Sequence, residues 1–146
     1  MLLLGTKNTS TQTVVVDGLI NIGSTYRKFC KKTCGIPAFS RTVNDISLNQ
    51  QGIYHITATF VGTGTAAGDV TIQLLENGVV VEGAVATETI TTATTEFRTF
   101  VIDYYILVDN DNVLGTCITT PKTITFENIG VEATFTSVVV NVTKEV

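Results

Sequence analysis

The sequence contains few of the residues that support catalysis, metal binding or a disulfide framework. It has no Trp, one Met, one His, two Pro and three Cys in 146 residues. Charged residues make up 15% of the chain, whereas globular proteins average about 25%. Hydrophobic residues nevertheless reach 44%, which excludes a disordered tail or a solvated linker. We therefore expect one compact core beneath an unusually uncharged surface.

The scarcity of basic residues, long apolar runs and cysteines disfavours several partners and compartments. Nine basic against thirteen acidic residues give a net charge of -4, which does not suit binding to nucleic acid. The apolar start Leu2, Leu3 and Leu4 stops at Gly5, too short for a signal-peptide core or a membrane span, so no membrane partner and a cytoplasmic site of synthesis are expected. An odd number of cysteines is atypical of a secreted disulfide framework.

The abundant residues of this chain are β-branched. The chain has 27 Thr, 19 Val and 13 Ile, residues that favour pleated sheets over helices. We predict an all-β fold with no helix. Residues 1–12 lack periodicity after the Leu triplet and are predicted to form an N-terminal arm, followed by a single domain over residues 13–146.

Alternation and turn residues locate the strands. In residues 52–61, apolar side chains at even positions alternate with polar ones, which predicts a half-buried strand. Asn77-Gly78 and Asp17-Gly18 are each typical of a tight hairpin turn. For the Asn77-Gly78 hairpin, a two-residue turn pairs Glu76 with Val79. The same register predicts that five side chains share one face, namely Val70, Ile72, Leu74, Val81 and Val85.

The segment Arg98–Val108 is apolar on both faces. Its even positions fit a sandwich interior, while Val101, Tyr105 and Leu107 form a second apolar row interrupted only by Asp103. Because each sheet of a free sandwich buries one face, this second row predicts an oligomer interface. With eight to ten expected strands and frequent turn signals, the fold class is predicted to be an oligomeric, two-sheet antiparallel jelly-roll sandwich.

Candidate catalytic and metal residues are sparse, and simpler interpretations are favoured for each. The lone His55 lies on the polar side of a strand and lacks a nameable nucleophile or orienting carboxylate, so no catalytic residue is assigned. Cys30, Cys34 and Cys117 could join His55 around zinc, or Cys30 could pair with Cys34, but free thiols are favoured. We therefore expect no metal site, no cofactor and no enzymatic activity.

Two further segments admit a functional interpretation. Residues 109–112 open like a calcium loop but lack its glycine and distal glutamate, so an Asp/Asn turn is favoured. Residues 26–35 carry Arg27, Lys28, Lys31 and Lys32 and are predicted to be an exposed loop. Docking onto an acidic protein surface is the functional alternative for this loop.

A family resemblance covers about residues 40–146. The strings at residues 45–48, 52–56 and 70–79 resemble the tumour-necrosis-factor-like and complement-type jelly roll, in which a Gly-x-Tyr strand start precedes an extended hairpin. Gly52 and Tyr54 match the strand start, and Phe100, Tyr104 and Tyr105 resemble the late aromatic strand that lines the trimer axis. The resemblance implies a trimeric binding or structural module, and the Thr/Val-rich composition is most similar to tailed-phage head-fibre and capsid decoration proteins and to spore-surface trimers.

The expected function is that of a virion structural protein, either a capsid decoration protein or a head-fibre subunit. It would form a homotrimer through Val101, Tyr105 and Leu107, and attach to the major capsid protein or another virion protein through Leu2, Leu3 and Leu4. Its expected location is the outer capsid surface, after synthesis in the host cytoplasm. The alternative is a carbohydrate-binding surface module, since jelly-roll loops often hold sugars, although the chain has no Trp for stacking on a sugar.

Overall fold

The computed structural model describes residues 1–32, 35–109 and 120–146. These ranges form twelve β-strands and no helix, so they contain no helix long and apolar enough to cross a membrane. In chain order the strands are β1 (Leu2–Asn8), β2 (Gln12–Val14), β3 (Gly18–Leu19), β4 (Ser24–Lys28), β5 (Phe39–Arg41), β6 (Asp45–Leu48), β7 (Gly52–Gly64), β8 (Gly68–Glu76), β9 (Val79–Ile90), β10 (Arg98–Val108), β11 (Lys122–Asn128) and β12 (Ala133–Lys144). The all-β prediction is confirmed. The strand count is higher than expected because β2, β3 and β5 have only two or three residues each, too few to show alternation.

The strands form two antiparallel sheets. Sheet 1 has the order β10-β7-β12-β1-β4, and β2 adds to β12. Sheet 2 has the order β5-β6-β11-β8-β9, and β3 adds to β11. Neighbouring strands in the sheets are mostly distant in sequence, as in a jelly roll, and the predicted two-sheet sandwich is confirmed.

The core lies between the sheets and is built from strict alternation. On β7 the even positions Tyr54, Ile56, Ala58 and Phe60 are fully buried, as predicted. The Phe60 ring meets Phe126 of sheet 2 edge to face, with 5.3 Å between ring centroids. Such aromatic contacts add to the burial of apolar area and hold the two sheets in one arrangement.

The N-terminal residues are part of this core, contrary to the expectation of an arm over residues 1–12. Strand β1 pairs with β12 on one side and with β4 on the other, so it lies inside sheet 1. Leu3 and Leu4 are 2% and 0% exposed, and Leu2 is half-buried. Leu3 and Leu4 therefore fill the chain's own core. Side chains buried in this way cannot serve as a free anchor for a capsid.

The expected hairpin at Asp17-Gly18 is wrong, although the tight turn itself is present. Asp17 has a φ of 65°, and the Gly18 amide donates to the Val15 carbonyl at 3.0 Å. The strands on either side do not pair with each other, because β2 belongs to sheet 1 and β3 to sheet 2. The turn carries the chain from one sheet to the other.

The Asn77-Gly78 hairpin is confirmed, but its predicted register holds only next to the turn. Glu76 faces Val79, whereas farther along Ile72 faces Ala86 and not Gly83, the residue with which the predicted register pairs it. Gly83, with a φ of 85°, lies in the bulge that shifts the register. Because a register shift exchanges the two faces of a strand, Val85 points outward, 43% exposed, and Ala84 is buried instead. Val70, Ile72 and Leu74 are buried as predicted, and Val81 is half-buried against the core.

One carboxylate organises the loop between β9 and β10. Glu96 accepts hydrogen bonds from the Thr91 hydroxyl at 2.6 Å, from the Thr91 and Thr92 amides at 3.0 Å each, and from Arg98 Nε at 3.0 Å. These bonds, the one from the Thr91 side chain first, lower the pKa of Glu96 to about 2. They fix the entry of the chain into β10.

The remaining predictions concern the basic segment, the 109–112 turn and the cysteines. The basic residues 26–28, expected in a loop, lie in β4. Most of the predicted 109–112 turn, Cys34 and Cys117 lie outside the described residues, and Cys30 is exposed.

Candidate functional site

The outer face of β10 carries an exposed apolar row. Val101, Tyr105 and Leu107 are 54%, 57% and 58% exposed, while the alternate positions Phe100, Ile102 and Ile106 are buried in the core. The predicted division of β10 into an inner and an outer face is therefore confirmed. The role of the outer row as an oligomer interface stays a prediction. We call Val101, Tyr105, Leu107 and Ile53 of the neighbouring strand the β10 face.

Strand β7 extends this face by one row. Ile53 is 39% exposed and lies opposite Leu107, and His55 lies opposite Tyr105. The imidazole stacks on the Tyr105 ring with a centroid separation of 4.5 Å and an interplanar angle of 10°. Beside Ile53 and Leu107 lies a shallow depression of about 430 Å³, also lined by Gln51, Gly52 and Val146. Ile53 is absent from the predicted oligomer interface, although its odd position on β7 indicates an outward orientation.

A polar cluster crosses the β10 face. His55 Nε2 is hydrogen-bonded to Asp103 Oδ1, and His55 Nδ1 lies 3.8 Å from Glu145 Oε1. Since an ionised carboxylate only accepts hydrogen bonds, Nε2 is the donor in the bond to Asp103. Asp103 thus supplies the carboxylate partner of His55 that the sequence could not name. The register between β7 and β10 places Asp103 two residues from Tyr105, on the same face of the sheet as His55, and no local sequence pattern gives this register.

The cluster fixes the orientation of the imidazole without assembling a nucleophile. Within residues 1–32, 35–109 and 120–146, no hydrogen bond joins His55 to a hydroxyl or a thiol. In the same ranges, no group of three His, Cys, Asp or Glu residues is arranged to hold a metal ion. The arrangement can present a stacked, hydrogen-bonded surface to a protein partner.

The aromatic residues that carry the family resemblance divide between the core and the β10 face. Tyr54 is fully buried and donates from its hydroxyl to the Gln50 carbonyl at 2.6 Å. Its burial raises the pKa of Tyr54 to about 12. Phe100 is also buried, and Tyr104 packs against the core. Of the late aromatic positions, Tyr105 alone lies on the β10 face.

Comparisons with known proteins identify the fold. No protein-family model matches the chain, and no curated protein matches its sequence. Among solved structures, the chain is similar to the globular domain of zebrafish complement 1qA protein, with a TM-score of 0.63 and 7% identity over 100% of this chain and 98% of that one. It is similar to Eiger TNF from S. frugiperda, with a TM-score of 0.61 and 8% identity over 99% and 93% of the two chains.

A third similar structure comes from a virus. For the PRD1 vertex protein P5, the TM-score is 0.50 and the identity 16%, over 98% of this chain and 96% of that chain. At such low identities the likeness concerns the fold alone. The chain has the jelly-roll fold of the complement 1q and tumour-necrosis-factor structures.

Proposed function

We propose that the chain is a virion structural protein that acts by binding other proteins and not by catalysis. In this proposal three copies meet through the β10 face, and the trimer sits on the outer capsid surface as a decoration protein or head-fibre subunit. The partner is the major capsid protein or another virion protein. The trimeric state follows the family resemblance, and the shared fold of a PRD1 vertex protein supports a virion role.

The observation that carries self-association is the exposure of the β10 face. Three apolar side chains, each more than half exposed, lie in one line on a strand whose opposite face fills the core. A contiguous apolar row in water favours association. Around a symmetry axis the same row from each subunit would meet its copies, and Tyr105 could bury its ring while its hydroxyl stays hydrogen-bonded.

The polar cluster suits the same assembly. Asp103 would be an unpaired carboxylate within an apolar row if it stood alone, and burial of such a group is costly. Its hydrogen bond to His55 satisfies this carboxylate within the subunit before any partner arrives. The β10 face is therefore compatible with burial despite its one acidic residue.

The test of self-association is the variant Tyr105→Glu. Placing one carboxylate per subunit in a shared apolar interface would cost several kcal/mol, of order 3–5 for each unpaired buried charge. We expect sedimentation velocity to show monomers for this variant and trimers for the unmodified chain. The control Val80→Glu adds a carboxylate at a valine that is 50% exposed on sheet 2, and it should remain trimeric. A Tyr105→Glu protein that stays trimeric would show that a different face mediates assembly.

The virion role has a separate test. Mass spectrometry of purified particles should detect this chain at a high copy number relative to the major capsid protein. Absence of the chain from intact particles would overturn the virion proposal, while leaving the trimer proposal to the sedimentation result.

A further inference from the structure

Basic and aromatic side chains cluster at the edge of sheet 1 opposite β10. Arg27 and Lys28 of β4, together with Lys31 and Lys32, hold four of the nine positively charged side chains. Tyr26 and Phe29 among them are 39% and 51% exposed. We call residues 26–32 the β4 surface. It lies four strands away from β10, so it is distinct from the proposed trimer face.

The cations of the β4 surface have no acidic partner among the described residues. Within these ranges, no ion pair involves Arg27, Lys28, Lys31 or Lys32. Of the five other cations, Arg98 pairs with Glu96, and Lys122 pairs with Glu76 at 3.0 Å. In a protein of net charge -4, a group of unpaired cations at one edge is a segregated positive surface. Such a surface attracts acidic groups and accelerates their encounter.

The β4 surface is held in place by contacts on both sides. The Tyr26 hydroxyl donates to Asn141 Oδ1 at 2.5 Å, and Lys7 Nζ lies 5.7 Å from the centroid of the Tyr26 ring. Gln50 Nε2 donates to the Lys31 carbonyl at 2.7 Å. A shallow groove of about 520 Å³ runs beside β4, lined by Met1, Leu2, Tyr26, Arg27, Lys28 and Phe29. A surface that is already ordered loses little entropy when a partner binds.

The backbone of β4 offers a free edge. This strand pairs only with β1, and the Phe29 amide donates to the Leu3 carbonyl at 2.8 Å. Since amides of successive strand residues point to opposite sides, the Lys28 amide points away from β1. An exposed strand edge of this kind can accept a further strand from another chain.

We propose that the β4 surface binds an extended acidic segment of another protein, which adds as a strand beside β4. The partner's carboxylates would face Arg27, Lys28, Lys31 and Lys32, and its apolar side chains would cover Tyr26 and Phe29. A polypeptide fits better than a nucleic acid, because only a polypeptide can continue the backbone ladder of β4. The inference does not depend on trimer formation or on a virion partner.

The test uses a labelled peptide of repeated Glu-Glu-Val-Val units, which carries both residue types on each face of an added strand. Binding is followed by fluorescence anisotropy at low salt. Lys28→Gln removes one charge and should weaken binding by about two- to fivefold, as for an exposed ion pair. Lys28→Pro removes the same charge and also the free amide, so it should weaken binding by roughly a further tenfold. Equal effects of the two variants would overturn strand addition.

Controls separate this proposal from its rivals. A Lys-Val peptide should not bind, and binding equal to that of the Glu-Val peptide would overturn charge complementarity. Single-stranded DNA that binds more tightly than the peptide would overturn the polypeptide assignment. In the unmodified protein, the peptide should slow hydrogen exchange at the Lys28 amide, a measurement that does not depend on the folding of any variant. Unchanged exchange with the peptide bound would contradict strand addition.

Discussion

Glu96 shows how one side chain can fix a loop. Its carboxylate receives five hydrogen bonds at 2.5–3.0 Å from Thr91, Thr92 and Arg98. These bonds favour the ionised form and lower its pKa from 4.5 to about 2. Because the folded-state pKa lies below the ordinary value, the stabilisation by Glu96 is fully present above about pH 4.5 and is lost as the pH falls toward 2.

The variant Glu96→Gln tests this dependence. At pH 7 it should have a lower free energy of unfolding than the unmodified chain, and the difference should shrink between pH 4.5 and 2, where the carboxyl group becomes protonated. Urea unfolding at several pH values measures the difference. Glu82→Gln is the control, since Glu82 is exposed and its side chain makes no hydrogen bond or ion pair within the described residues. A difference for Glu96→Gln that is constant with pH would contradict the role given to the carboxylate.

At the scale of the element, the bulge in β9 sets which residues of the second hairpin strand enter the core. Gly83 has a φ of 85° with nothing within 4 Å of an added Cβ, so the cost of a side chain there is conformational and not steric. Gly83→Ala should lower the free energy of unfolding by about 1–2 kcal/mol, measured by denaturant titration. Glu82→Ala, at the exposed neighbouring position, should change it by less than about 0.5 kcal/mol. Equal effects would show that the backbone at Gly83 is not strained by a side chain.

The elements differ in how far the sequence could predict them. Alternation was sufficient for β7, because its buried positions are apolar and its outward positions are mostly polar. Strand β10 is apolar on both faces, so the assignment of its even positions to the core depended on the expected sandwich. The Gly83 bulge could not be predicted, since a glycine at an exposed position carries no sign of its φ. Asp17-Gly18 correctly indicated a turn. The sequence could not show that this turn joins two sheets, because such a turn needs the same backbone conformation as the turn of a hairpin. The contact of His55 with Asp103 depends on the pairing of strands 48 residues apart in sequence, which no local pattern specifies.

For the whole molecule, the N-terminal strand is structural. Deleting residues 1–12 removes an interior strand of sheet 1 and uncovers the space filled by Leu3 and Leu4, whose burial contributes about 1.5–3 kcal/mol each. Domains of this size have a net stability of only about 5–15 kcal/mol. We expect the truncated chain to lose cooperative thermal unfolding, followed by circular dichroism. Removing Val146, which is 79% exposed, is the control and should leave the transition intact. A truncated chain that unfolds cooperatively at the original temperature would show that β1 is dispensable.

The position of β12 between β7 and β1 also determines when the molecule can fold during its synthesis. A ribosome produces β12 after the other eleven strands, so β7 and β1 each wait with one unpaired edge until residues 133–144 emerge. Closing such distant pairings is slow compared with local hairpin formation. The nascent chain therefore passes through a stage in which one edge of β7 and one edge of β1 are open to other nascent chains. Association between nascent chains on crowded polysomes would then limit the yield of folded protein at that stage. The stability of the finished sandwich would not be the limiting factor.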